Sequence, residues 1–276
     1  AFVIGLSSGA TVLVGQAWGA RDIEKVRTVV GALLFMTLIG GTIIGLAGAL
    51  LSEQILLLLG IDQKVMHLSV PYVRWMLLGS PFLFIYITYT SILRGVGDST
   101  TPLIASGLTI LMGVIITPIL IGGYLGFPKM GIVSPAIANS VVFVSVLIFL
   151  YIYLNKKNHI LRPDAALIAH IRYHPEISRL ILKLGIPTGV QMVTNSVAGL
   201  VVIGLVNQYG SHATAAYGAV NQVLNYIQFP ALSIAIAGSI FAAQAIGAGK
   251  SELLAKVTKV ALLSNILITG GLVLLA

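Results

Sequence analysis

The chain is organised as long apolar runs separated by short polar segments. A helix that crosses a bilayer needs about 20 mostly apolar residues, and eight of the runs meet that length in whole or in part. The predicted spans cover residues 1–18, 28–51, 71–93, 102–123, 131–154, 184–209, 215–246 and 257–276. The first and last runs are cut off at the ends of the sequence, so we expect these residues to be a piece of a longer protein.

The composition agrees with this pattern. Hydrophobic residues make up 57% of the chain and charged residues 9%, whereas about 25% of the residues of an ordinary globular protein are charged. The mean hydropathy is +1.01. Because so few charges do not cover the surface of a soluble domain, the sequence predicts an all-α polytopic membrane protein. The absence of cysteine excludes disulfides, iron–sulfur clusters and thiolate zinc sites.

The basic residues are unevenly divided between the two sides of the predicted bundle. Of the 16 Lys and Arg, 13 fall on one side and three, Lys64, Arg74 and Lys129, on the other. The positive-inside rule assigns the richer side to the cytoplasm, so we expect a multi-pass protein of the inner (plasma) membrane. This topology and attraction to the anionic lipid bilayer explain the net charge of +8. No basic stripe or aromatic stacking module indicates nucleic acid as a partner.

The longest polar stretch, residues 155–183, is predicted to be a cytoplasmic connector between two helical bundles. The spacing of five of its apolar residues suggests a short amphipathic helix at the membrane interface. These residues are Ile168, Ile171, Ile177, Leu180 and Ile181. The prediction therefore divides the chain into an N-terminal lobe at 1–154, the connector at 155–183 and a partial C-terminal lobe at 184–276.

A short internal repeat supports two related lobes. Residues 16–20 are Gln-Ala-Trp-Gly-Ala, and residues 244–248 are Gln-Ala-Ile-Gly-Ala. Glu24 and Glu252 follow the two copies at the same offset, and both copies lie at the predicted cytoplasmic boundary. Transporters often contain such repeats, with a binding site between the halves. The repeat predicts one further helix before residue 1 and about three after residue 276, which makes two pseudo-symmetric six-helix lobes.

Several motifs resemble the multidrug and toxic compound extrusion (MATE) family, and they occur in family order along nearly the whole chain. They are Gly-Gln-Ala-Trp-Gly-Ala at 15–20, Leu-Arg-Gly-Val-Gly-Asp-Ser-Thr-Thr-Pro at 93–102, Gly-Phe-Pro-Lys-Met-Gly at 126–131, Lys-Leu-Gly-Ile-Pro-Thr-Gly at 183–189, Gly-Ser-His-Ala-Thr-Ala-Ala-Tyr at 210–217 and Ala-Gln-Ala-Ile-Gly-Ala-Gly at 243–249. The resemblance places the chain at approximately the second to ninth helices of the family.

The resemblance implies a secondary-active antiporter that exports organic, often cationic compounds in exchange for H⁺ or Na⁺. It implies alternating access of the two lobes, no enzymatic activity and no cofactor beyond the coupling ion. Two positions depart from the family pattern. Asn195 stands where some members have a Glu that contributes to a cation site, and Gly113 with Thr117-Pro118 replaces an Asn…Asp-Pro pattern. The coupling ion therefore stays open.

Polar and aromatic residues inside the spans are the candidate substrate- or ion-binding groups. No acid lies well inside a predicted span, so amide chemistry remains. Amides in a membrane helix must face protein or water, and they can line a cavity or hydrogen-bond between helices. Aromatic rings can stack on organic cations, although they can equally pack in the bundle. The candidates are Gln191, Asn195, Asn221, Asn225, Asn139, Tyr86 and Tyr89.

Other features are predicted to be structural. Gly95 and Gly97 permit a tight turn before Pro102, with Asp98 or Ser99 capping the next helix. The two Gln-Ala-x-Gly-Ala copies are predicted to stop their helices at the cytoplasmic gate, with Gly19 and Gly247 as C-terminal caps. Pro81 and Pro230 inside spans predict kinks or hinges.

Two further patterns do not meet the requirements of a nucleotide or metal site. The Gly249-Lys250-Ser251 sequence resembles the end of a P-loop, but Gln244 stands where that motif needs Gly, so no nucleotide site is expected. His170 and His174 lack further ligands nearby, so no metal site is expected.

Three alternatives to drug efflux remain open. The first is a lipid-linked oligosaccharide flippase of the related superfamily, which would be expected to line its cavity with Arg. The predicted spans have no Arg in their interior, and Arg94 lies at a span boundary. A membrane enzyme would need His, Asp or Glu constellations inside the spans. A non-transporting membrane scaffold is the third interpretation of this fragment.

Overall fold

The computed structural model describes residues 2–126 and 128–275. The parts of the predictions that fall on Ala1, Phe127 and Ala276 lie outside the described residues. The described chain is helical, and its helices are α1 Phe2–Gly19, α2 Ile23–Leu50, α3 Ser52–Leu58, α4 Gln63–Gly95, α5 Thr100–Gly122, α6 Ser134–Lys156, α7 Ala165–Ala169, α8 Pro175–Asn207, α9 Ser211–Gly247 and α10 Leu253–Leu275. Among the described residues there is no strand.

Eight of these helices are long and apolar enough to cross a membrane. They match the eight predicted spans one for one, and they confirm the all-α polytopic fold. Helices α3 and α7 have seven and five residues and are too short to span. The chain is a multi-pass membrane protein.

The connector differs from its prediction. A continuous amphipathic helix does not form, because residues 170–174 separate the short helix α7 from α8. Helix α8 begins at Pro175, nine residues before the predicted span at 184. Proline suits the first turn of a helix but disfavours helical backbone in the residue before it. Ile177, Leu180 and Ile181 therefore belong to α8.

Contacts divide the chain into two units. The first unit takes in the described parts of 1–26, 95–97 and 182–276, and the second takes in 27–94 and 98–181. The first unit therefore contains α1, α9, α10 and most of α8. The second contains nearly all of α2 to α6 and the connector. The predicted lobes follow the order of the spans along the chain, whereas these units follow contacts in space. The lobe boundaries therefore stay a prediction.

Glycines allow close helix packing within the second unit. A Cβ on Gly45 of α2 would lie 2.8 Å from the Leu77 carbonyl oxygen of α4, and one on Gly41 would lie 3.1 Å from the Phe84 ring. Small residues are what bring membrane helices together where no hydrophobic driving force acts between them. The buried hydroxyl of Thr88 in α4 also donates to Thr37 of α2 at 3.1 Å.

Candidate functional site

The two copies of the repeated motif contact each other in the first unit, where α1 crosses α9. A Cβ added to Gly19 would overlap the backbone carbonyl of Gln244, and one added to Gly247 would overlap the backbone carbonyl of Gln16. The relation is reciprocal: each glycine lies against the glutamine that opens the other copy of the motif. Only glycine permits this approach, since the overlapping atoms belong to the backbone and not to a flexible side chain.

Neighbouring contacts extend this α1–α9 crossing to the end of α4. The Gln244 side-chain amide donates to the Gly95 carbonyl oxygen at 2.9 Å, which satisfies a carbonyl in the last turn of α4. A Cβ on Gly15 would lie 3.1 Å from the Ala243 Cβ. The α1–α9 crossing is therefore a close contact of backbone atoms, and the Gln244 amide ties α9 to the end of α4.

The repeated motif ends both helices as predicted, but Gly19 and Gly247 are not the caps. Both are the last residues of their helices, and the left-handed backbone comes two residues later, at Arg21 (φ 58) and Gly249 (φ 70). These two positions are related by the same offset as the repeat. A left-handed backbone suits glycine but costs a residue with a side chain about 1–2 kcal/mol. The first copy thus carries a strained arginine where the second has glycine.

The turn between α4 and α5 forms as predicted. Gly97 has a φ of 87, and the Asp98 carboxylate accepts a hydrogen bond from the Thr101 backbone at 3.0 Å and another from the Thr101 hydroxyl. Asp98, and not Ser99, is the residue whose side chain caps α5. Partial burial raises the pKa of Asp98, but the Thr101 hydrogen bonds and the nearby His159 and Lys157 outweigh it, so the pKa is lowered overall.

His159 anchors the connector in the second unit. Its Nδ1 accepts a hydrogen bond from the Leu161 backbone at 3.1 Å, and its Nε2 lies 3.6 Å from the Asp98 carboxylate. The Leu161 carbonyl in turn accepts a hydrogen bond from the Tyr89 hydroxyl at 2.7 Å. Burial lowers the pKa of His159, and the Asp98 charge only partly offsets this. A neutral imidazole with its proton on Nε2 fits these contacts.

Asp164 fixes the next segment of the connector. Its carboxylate accepts a hydrogen bond from the Leu167 backbone at 2.8 Å and caps α7. The same carboxylate lies 3.3 Å from Arg162 and 3.8 Å from Arg27 of α2. The Leu167 hydrogen bond, followed by the two arginines, lowers the pKa of Asp164. The connector is therefore held to α4, to the start of α5 and to α2.

The structure places the predicted amides on α8 and α9 of the first unit. Gln191 and Asn195 are exposed one turn apart on α8, and Asn225 is exposed on α9. Asn221 is half-buried and donates to the Tyr217 carbonyl of its own helix at 3.0 Å. Among the described residues, none of the four is hydrogen-bonded to another of them. The role of these four amides in binding stays a prediction.

The three remaining candidates lie in the second unit and have different surroundings. Tyr89 is buried, and its hydroxyl donates to the Leu161 carbonyl of the connector. Tyr86 is half-buried. Its hydroxyl lies 3.1 Å from the Ser106 hydroxyl of α5, and its ring centroid lies 5.3 Å from that of Phe143 in α6. Asn139 of α6 is exposed. A binding role for these residues stays a prediction.

Sequence reasoning missed two features of the site. The contact between the two motif copies was not predicted, and Arg21 was not singled out. The alignment of Arg21 with Gly249 in the repeat was the signal that could have identified it. No group of three His, Cys, Asp or Glu able to hold a metal ion is found within residues 2–126 and 128–275.

Comparisons with known proteins identify relatives of the whole chain. It is 40% identical over 274 residues to the probable multidrug resistance protein YoeA of Bacillus subtilis, covering 99% of this chain and 59% of that protein. It is 32% identical over 255 residues to the probable multidrug resistance protein YpnP of the same organism, covering 91% and 54%. The chain therefore spans little more than half the length of these curated relatives.

Solved structures show the same fold. The crystal structure of MATE in the bent conformation matches with a TM-score of 0.82 and 24% identity, over 94% of this chain and 57% of that one. An outward-facing MATE family transporter of the MOP superfamily matches with a TM-score of 0.81 and 23% identity, over 96% and 57%. The MatE family model matches residues 1–119 and 187–276. Since that match covers more than half of the chain, the chain belongs to the MatE family, whose members are transporters and not enzymes.

Proposed function

We propose that this chain forms the larger part of a secondary-active multidrug efflux antiporter, which exports organic, often cationic compounds in exchange for H⁺ or Na⁺. The names of the relatives, multidrug resistance proteins, support the substrate class. The observation that carries the mechanism is the reciprocal contact of Gly19 with Gln244 and of Gly247 with Gln16. The activity would take place in the inner (plasma) membrane, with the connector in the cytoplasm.

The crossing is suited to act as a gate. Helix α1 belongs to the predicted N-terminal lobe and α9 to the predicted C-terminal lobe, and their motif copies meet at the predicted cytoplasmic boundary. A contact that depends on two glycines, one at the end of each helix, with no side-chain hydrogen bond between the two motif copies among the described residues, is suited to separate and re-form. In the proposed cycle it closes the path to the cytoplasm in one state and opens in the other.

Binding of drug and ion is assigned to the predicted polar groups. Gln191, Asn195 and Asn225 would offer amides without competing hydrogen bonds, and Tyr86 would offer an aromatic face to an organic cation. Asn139 and Asn221 would add polar contacts. Tyr89 would position the connector. A ligand drives the cycle only if it binds the two states with different affinity.

The choice of coupling ion depends on which groups lie inside the spans. The acids at the ends of the described spans, such as Glu24 and Glu176, lie in first turns. An Asn195 amide can ligate Na⁺ but carries no proton. H⁺ coupling would therefore need a titratable group other than Asn195, whereas Na⁺ coupling could use the Asn195 amide as a ligand.

The test measures ethidium transport by the full-length protein in everted membrane vesicles, with Na⁺ and H⁺ gradients imposed separately. The proposal expects transport driven by one of the gradients and lost when both are collapsed. Transport that persists without either gradient would contradict ion coupling. Vesicles without the protein provide the control for leakage, since passive dye entry does not depend on the transporter.

A further inference from the structure

A cationic pocket lies beside the α1–α9 crossing, on the side of α10. It has a volume of about 650 Å³ and is formed by the ends of α1 and α9 and the starts of α2 and α10. Arg21 and Lys250 supply two positive charges, and Trp18 and Phe241 supply aromatic surface. Among the described residues no acid lines it. The Asp22 carboxylate nearby is instead engaged by the Lys25 backbone at 3.0 Å, where it caps α2.

The left-handed backbone conformation of Arg21 indicates that its side chain has a function. Arg21 has a φ of 58, whereas Gly249, its counterpart in the repeat, has a φ of 70. The fold accepts glycine at this position in the second motif copy without strain. A strained residue held in place by its surroundings is a pointer to function, and the Arg21 side chain lines the pocket. The guanidinium is also the group best suited to bind phosphate oxygens in pairs.

An apolar groove continues from this pocket between α9 and α10. It has a volume of about 510 Å³ and shares Phe241, Leu253 and Val257 with the pocket. Its remaining lining is apolar except for Lys256 and Ser264. The pocket and groove together thus present cations at the end of the helices and a hydrocarbon surface along them, at the depth where Trp18 would lie at the membrane interface.

We propose that the pocket and groove bind one anionic phospholipid. The phosphate lies between Arg21 and Lys250, and one acyl chain lies in the α9–α10 groove. A soluble phosphate would use the cations but not the groove, and a zwitterionic lipid would use the groove but gain less from the cations. Basic pockets between membrane helices on the cytoplasmic side are known to suit anionic headgroups. The site adjoins the proposed gate but does not depend on the identity of the exported drug.

The experiment uses the full-length protein in detergent and measures lipid binding by native mass spectrometry. The probes are dioleoyl phosphatidylglycerol, dioleoyl phosphatidylcholine and glycerol 3-phosphate, which represents the headgroup alone. Each cation contributes about fivefold in affinity, so Arg21→Gly and Lys250→Gln should each weaken phosphatidylglycerol binding by about that factor. Lys25→Gln removes the same charge from the same region outside the pocket and should change binding less than twofold.

The Arg21→Gly variant keeps the test independent of folding, because glycine relieves the left-handed backbone. A second pair of variants tests the groove: Ser264→Phe should weaken phosphatidylglycerol binding, whereas Leu267→Phe, at an exposed position outside the groove, should not. Unchanged phosphatidylglycerol binding by Arg21→Gly and Lys250→Gln would overturn the proposal. So would glycerol 3-phosphate or phosphatidylcholine binding as tightly as phosphatidylglycerol.

Discussion

Gly19 and Gly247 occupy equivalent positions in a repeated motif, and each lies against the backbone of the other's motif copy. Sequence similarity between two distant segments is here matched by a physical contact between them. A local two-fold relation of this kind means that a change to either glycine should have the same consequence. It also makes the crossing a symmetric point at which two helices can part.

Replacing either glycine by alanine should damage the crossing. The added Cβ of Gly19→Ala or Gly247→Ala overlaps a backbone carbonyl, so we expect a loss of about 1–3 kcal/mol in stability and a lower rate of efflux. Thermal unfolding of the purified protein and ethidium efflux measure the two effects. Gly107→Ala is the control, since a Cβ there meets open space in α5 and alanine favours helix by about 1 kcal/mol. Equal behaviour of all three variants would contradict the packing described.

Asn195→Ala should lower efflux without lowering the amount of protein in the membrane. The Asn195 amide has no partner among the described side chains, so its removal leaves no broken packing. Loss of one ligand hydrogen bond corresponds to about a two- to tenfold weaker apparent affinity. The neighbouring Ser196→Ala variant is the control, because the Ser196 hydroxyl is bound to Met192 of its own helix. If abundance falls in proportion to efflux, Asn195 is a packing residue.

Two variants of Tyr86 distinguish the contribution of its ring to transport from that of its hydroxyl. Tyr86→Ala should weaken transport of cationic compounds by about 0.5–2 kcal/mol in apparent affinity, the usual size of a cation–π contact, while Tyr86→Phe keeps most of it. Concentration dependence of transport for a cationic and a neutral substrate is the measurement. An equal loss for both substrates would show that the ring only packs against Phe143.

The connector should loosen as the pH falls. The pKa of His159 is lowered in the folded protein, so its contribution to stability is complete above its unfolded pKa of about 6.5 and is lost as the pH drops below that value. Protonation of Nδ1 removes the acceptor of the Leu161 backbone, while Asp98, with its lowered pKa, stays charged in this range.

Amide hydrogen exchange of residues 159–162 tests this, after correction for the intrinsic pH dependence. Exchange in the wild type should speed up between pH 7.5 and 5.5. His159→Gln supplies an acceptor oxygen that does not titrate, so its corrected exchange should be flat. The same acceleration in both proteins would place the pH response elsewhere.

The spans could be predicted from the sequence alone, because a bilayer requires a long run of apolar residues. Such a run is recognised from neighbouring positions in the chain. The sequence was insufficient where helices extend into water: α8 begins at Pro175, but the charges of Glu176, Arg179 and Lys183 hide its first turns from a hydropathy pattern. The cap of α5 by Asp98 was predictable, since capping depends on neighbouring residues. The contact of Gln16 with Gly247 was not predictable, because these residues are 231 positions apart in the sequence and meet only through the packing of their helices.

The most direct measurement locks the crossing with a disulfide. The chain contains no cysteine, so the pair Gly15→Cys and Ala243→Cys can be introduced where the two Cβ atoms would lie 3.1 Å apart, a few tenths of an ångström closer than the roughly 3.5–4.5 Å of a relaxed disulfide. Gly238→Cys with Ala261→Cys, at the same Cβ separation between α9 and α10 of one predicted lobe, is the matched control. Oxidation should abolish ion-driven efflux in the α1–α9 pair, reduction should restore it, and the control pair should transport in both states. Undiminished efflux with the α1–α9 bridge fully formed would contradict the account.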